Sequence, residues 1–90
     1  MQVTPKIYGS KIVSIPYDND VILATINGST IHISRIMIDY SVQEIQSISL
    51  YGVSDISLMK VSGITSLAAT VGMNKNGDSI NDIIVCLIDL

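Results

Sequence analysis

The sequence predicts an all-β fold, a small antiparallel β-sandwich or barrel of about seven short strands. Three observations carry this. The apolar residues are dominated by 17 Ile and 8 Val, with three Ala, no Phe and no Trp. β-Branched side chains are stiff at χ1 and suit a pleated surface better than a helix. Turn signals recur at short intervals along the whole chain, the spacing of an all-β domain. Ile83-Ile84-Val85-Cys86-Leu87-Ile88 is an unbroken apolar run. Alternate residues of a strand face opposite ways, so such a run has both of its faces to cover.

The elements follow in order. A short strand is expected around Val3–Tyr8, closed by Gly9-Ser10. Lys11–Tyr17 comes next, with Val13, Ile15 and Tyr17 on one face. Pro16 marks it as an edge strand or a strand end, because proline has no N–H for a ladder. Asp18-Asn19-Asp20 is a polar turn, and Val21–Ile26 reads as a central strand. Asn27-Gly28 is the strongest hairpin signal, since both residues accept the positive φ of a type I′ turn. The return strand begins at Thr30, with Ile31 and Ile33 on one face and His32 and Ser34 on the other. The apolar set then continues as Ile36, Ile38 and Tyr40, so the phase flips near Arg35, and a β-bulge there would explain it.

Residues 41–52 support two readings. Ser41-Val42-Gln43-Glu44 fits a capping box, and Val42, Ile45 and Ile48 have helical spacing up to a possible C-cap at Gly52, giving one short helix near 42–50. Ile48 and Leu50 alternate instead, and the serine content disfavours a helix. Strands are then expected over Asp55–Val61, Ile64–Met73 and Ile80–Ile88, the last two joined by a turn at Asn74–Asp78.

Ninety residues make a single β domain, 1–90. A chain this short buries only about two thirds of the surface its unfolded form exposes, so it commonly relies on disulfides, metal or association. Cys86 is the only cysteine and His32 the only histidine, which excludes an internal disulfide and a Cys/His metal cluster. Charged residues make up 14% of the chain, against roughly 25% in an ordinary soluble domain. The expectation is that part of the surface faces other protein.

The net charge is −3, and the five basic residues are scattered. With neither a positive field nor a set of stacking aromatics, no nucleic-acid partner is expected. The longest apolar run is far short of the ~20 residues of a helical membrane span, and no basic, apolar leader follows Met1, so neither a membrane nor a secretory route is expected.

Candidate chemistry is sparse. Asn74-Lys75-Asn76-Gly77-Asp78-Ser79-Ile80-Asn81-Asp82 resembles the start of an EF-hand or dockerin calcium loop, with oxygens at Asn74, Asn76 and Asp78. The resemblance fails after nine residues: Ser79 stands where glycine is required, and Val85 where a bidentate Glu is required. It is therefore read as a hairpin loop, and no cofactor or metal is expected. Asp18 and Asp20 are read as solvated turn acids. His32 would need an orienting carboxylate and a nucleophile to act as a base, and the sequence identifies neither. Cys86, within the apolar strand, reads as a buried small hydrophobe. No phosphate-binding glycine pattern and no GxSxG elbow occurs, so no catalytic residues are expected.

These points lead to the expectation of a non-enzymatic structural protein. It would act by homo-oligomerisation or by docking onto a larger assembly, in the manner of a small virion component such as a capsid-decoration or head-fibre subunit. The residues expected to face the partner are Ile83, Val85 and Leu87. Ile84, Cys86, Ile88 and Leu90 are expected to face the core. The alternative is a small-ligand or carbohydrate binding module with a groove on a β-sandwich, although the absence of Trp and Phe disfavours sugar stacking.

Overall fold

The computed structural model describes residues 9–88 and 90, and in them the chain is all-β. The strand expected around Val3–Tyr8 lies outside the described residues. Four strands form one antiparallel meander in chain order: β1 (Lys11–Tyr17), β2 (Asp20–Asn27), β3 (Thr30–Ile36) and β4 (Val42–Ser49). Three more form a second: β5 (Val53–Val61), β6 (Ile64–Met73) and β7 (Ser79–Leu87).

Alternation explains the core. Ile22, Ala24 and Ile26 of β2 and Ile31 and Ile33 of β3 point to the same side of the first sheet and are buried. Ile56, Leu67 and Ala69 of the second sheet meet them, with Ile88 closing the far end. Val13, Ile15 and Tyr17 pack against this cluster from β1, as their spacing predicts. β5 lies closest to β1 and β2, and Lys11 Nζ reaches Asp55 Oδ1 at 3.0 Å between the sheets. The result is a thin two-layer sandwich. Its accessible surface is 5863 Å², above the about 5,100 Å² typical of a folded monomer of this mass.

One ambiguity is resolved and two local expectations are corrected. Of the two readings of residues 41–52 the strand holds: β4 spans Val42–Ser49, and the Ser41 N–H and Oγ both donate to Asp39 Oδ1 rather than capping a helix. The strand wins because Ile48 lies opposite Ile31, so extension buries it beside the core. The phase change near Arg35 is not a bulge in β3. β3 simply ends at Ile36, leaving Ile38 and Tyr40 exposed in the connecting loop. The bulge lies on the facing strand, where the register skips Ile45 between Gln46 and Glu44.

The Asn27-Gly28 hairpin exists but is set one residue later. Asn27 is still in β2, paired with Thr30, and the two loop residues are Gly28 and Ser29. Only Gly28 has positive φ (64°), the pattern of a type II′ turn rather than I′. The I′ pattern, positive φ at both positions, occurs instead at Ser62-Gly63 between β5 and β6. Gly52 is the most constrained glycine. Its φ is 77°, and an added Cβ would lie 2.0 Å from the Met73 carbonyl oxygen. Its own carbonyl accepts the Gly72 N–H at 3.0 Å, pinning the start of β5 to the end of β6.

Candidate interaction surface

The two sheets differ on their outward faces. On the first sheet that face mixes Ser14, Thr25, His32, Ser34, Glu44 and Ser47 with Ile12, Val21, Leu23, Ile36 and Val42, aligned by the strand register.

The outward face of the second sheet is more apolar still. Pairing aligns Met59, Ser66 and Leu87 in one row, Ser57, Ala68 and Val85 in the next, and Asp55, Thr70 and Ile83 in the third. Val61 and Ile64 extend the apolar part at the hairpin. Ile83, Val85 and Leu87 are 73%, 56% and 62% exposed. Asp55 is the one charged residue in these rows, and it is engaged with Lys11. That contact and the Ile56 N–H hold the Asp55 carboxyl below the usual carboxylate range.

The division of β7 into two faces follows the sequence expectation. Ile84 and Cys86 lie on the side of Ala69 and Leu67, their register partners, and Ile88 is buried. Burial on this inner side is weaker than expected. Cys86 is half-buried and Ile84 is 37% exposed, because no strand of the first sheet lies over β7.

The other residues singled out by sequence are accounted for as follows. In the 74–82 loop, Asn74 Oδ1 accepts the N–H groups of Asn76 and Asp78 at 2.9 and 3.0 Å. The oxygen that would lead a cation loop thus closes the turn on itself. No cluster of three or more His, Cys, Asp or Glu suited to a metal ion occurs among the described residues. Asp18 is an exposed turn residue with φ 51°. Asp20 is not solvated, contrary to expectation: Arg35 Nε donates to its Oδ2 at 2.7 Å, and the guanidinium lies 5.0 Å from the centre of the Tyr17 ring. The bulge-free register of β1, β2 and β3 brings these three together, which short-range sequence spacing does not reveal.

His32 does have a carboxylate partner. Its Nδ1 lies 3.0 Å from Glu44 Oε1, and Ser47 is its register partner on β4. The sequence signal for this was the alternation of both strands, but their register depends on the bulge at Ile45. The group lies on the open face of the sheet, with His32 and Glu44 side chains 39% and 59% exposed. A shallow depression of about 450 Å³ at the other end of the sandwich is lined by Gly28, Ser29, Tyr51, Val53, Ser54 and Met73, and includes no charged side chain.

Comparison with known proteins finds no matching family model, no matching curated protein and no matching solved structure.

Proposed function

We propose that this is a non-enzymatic structural protein that works by associating with copies of itself or by docking onto a larger assembly. A small virion component of the capsid-decoration or head-fibre kind suits it. The observation that carries this reading is the outward face of β7. Ile83, Val85 and Leu87 stand well out of the surface on a sheet face with one charged residue, and that residue is already paired. Covering their exposed parts would contribute about 3–6 kcal/mol, at 1.5–3 kcal/mol for a fully buried aliphatic side chain. In a domain whose whole stability is of order 5–15 kcal/mol, that is a large term left unused by the isolated chain.

The test is the absolute mass in solution, by light scattering across a dilution series. A stable oligomer supports the reading. A mass that stays at 9.7 kDa at every concentration overturns self-association as the mode of action. A second reading, a small-ligand module, rests on the Tyr51 depression, whose single aromatic could stack against a flat ligand. Tyr51→Ala would abolish binding of such a ligand without changing the mass.

A further inference from the structure

We infer that β7 pairs edge to edge and antiparallel with β7 of a second copy, in the register centred on Val85. The inference rests on the assembly reading above and adds the element, the partner and the register.

The backbone supports it first. The Ile88 N–H donates to the Thr65 carbonyl at 3.0 Å, on the β6 side. In an antiparallel ladder the direction of these groups alternates along the strand. Ile84 and Cys86 therefore also aim their N–H and C=O groups at β6. Ile83, Val85 and Leu87 aim theirs at the free edge, where β6 is the one neighbour of β7 among the described residues. Three of the four most exposed large apolar side chains thus sit on residues whose edge-facing donors and acceptors have no partner among the described residues.

The other edges carry devices that discourage pairing. β1 has Pro16 and Lys11, and it is tied to β5 through Asp55. β4 has Glu44 and the bulge at Ile45. β5 has a register shift at Ser54 and the charges Asp55 and Lys60. β7 has a register shift near its start, and then Ile83 to Leu87 run without a charge, a proline or a further shift.

The partner and register follow from the spacing. Centred on Val85, an antiparallel pair sets Val85 against Val85 of the second copy and Ile83 against its Leu87. Every outward apolar side chain then meets another. Moving the centre to Ile84 sets Leu87 against Asn81, and moving it to Cys86 sets Ile83 against the aspartate of the sequence at position 89. A parallel in-register pair would set Asp82 against Asp82, and like charges directly opposite are destabilising. The Val85-centred pair sets Asp82 against Ile88 instead, so no like charges face each other. A second copy of this chain fits the edge better than a partner of unrelated sequence, because the strand is self-complementary.

Cysteine pairing reads the register directly. Facing residues of a non-hydrogen-bonded antiparallel pair have Cα atoms about 4.5 Å apart, within disulfide reach. On this edge such pairs involve positions 84 and 86. The proposed register faces position 84 with position 86 of the other copy. Three proteins are oxidised mildly and weighed under denaturing, non-reducing conditions: wild type, Ile84→Cys, and Ile84→Cys/Cys86→Ser. The expected result is a covalent dimer from Ile84→Cys alone, with circular dichroism unchanged in all three. A dimer from wild type places the centre at Cys86, and a dimer from the double variant places it at Ile84; either overturns the register. No covalent dimer from any of them, while light scattering shows an oligomer, overturns edge pairing and leaves the assembly reading standing. A monomer by light scattering overturns both edge pairing and self-association.

Discussion

Val85 is the position at which association and folding separate most cleanly. In the isolated chain its side chain is 56% exposed and lies between Ala68 and open solvent, so Val85→Glu places a carboxylate in water. The lost strand preference is at most about 1 kcal/mol, and the fold should survive. In the proposed pair the same residue meets its own copy. Removing the valine there gives up about 1–1.5 kcal/mol from each copy, half of a full burial. Two carboxylates about 6–8 Å apart at an effective dielectric of about 20 repel by about 2–3 kcal/mol. The sum, about 4–6 kcal/mol, raises the dissociation constant by about three to four decades. Val85→Lys should do the same. Mixing the two variants reverses the sign of the charge term, so the mixed dimer should be favoured over either homodimer by at least about 4 kcal/mol, roughly a thousandfold. The assay is light scattering of each variant and of their equimolar mixture, with native mass spectrometry to count mixed pairs. Val85→Glu retaining the wild-type mass, or a mixture that stays monomeric, would refute the reasoning.

Four further outcomes test the fold itself. Gly52→Ala should destabilise by at least about 2 kcal/mol, a drop in Tm of roughly 8–16 °C, because positive φ and the Met73 carbonyl both oppose a Cβ. Gly28→Ala, with the same sign of φ but nothing within 4 Å, should lower Tm by less than half as much. Leu67→Ala, at a 1% exposed core position, should lose about 2–5 kcal/mol in urea unfolding. The Asp55 pKa is lowered on folding, chiefly by the Lys11 hydrogen bond and then by the Ile56 N–H. Its contribution is therefore complete above the unfolded value of about 3.9 and is lost as pH falls through the lower folded value. Asp55→Asn should flatten that part of an acid-unfolding curve, and an unchanged curve would mean the exposed pair contributes nothing.

The parts of this fold that were legible in the sequence are those set by alternation. Val13, Ile15 and Tyr17, the central strand at residues 21–26, the faces of Ile31 and His32, and the bounds Ile64–Met73 all follow from period two and flanking turns. Where two local signals competed, the local reading was ambiguous. Ser41 to Glu44 has the spacing of a capping box, and only the cross-strand partner Ile31 makes extension the better state for Ile48. Turn type was legible as a location, not a geometry, because Asn27 could serve either as a turn residue or as the last paired residue of β2. The Asp20–Arg35–Tyr17 and His32–Glu44 groups are long-range products of register, and for the second of them the bulge at Ile45 shifts that register by one residue.

The composition and the surface have one origin. A two-layer sandwich can bury one face of each sheet, so a chain with this much Ile and Val must either put polar residues on its outward faces or leave apolar ones there. The first sheet does both, with Ser14, Thr25, His32, Ser34, Glu44 and Ser47 facing out beside Ile12, Val21, Leu23, Ile36 and Val42. The second sheet has Ser57, Ser66 and Thr70 on its outward face, but β7, its last strand, contributes only Ile83, Val85 and Leu87. Apolar side chains therefore stand on both outer faces, but among the described strands β7 alone carries three in succession on its outward face, each more than half exposed. That run lies on the strand whose outward backbone groups have no partner among the described residues, and solvation of a monomer gives no reason for that coincidence. Edge pairing does, because a strand that adds to a sheet needs free backbone groups and matching side chains on the same residues.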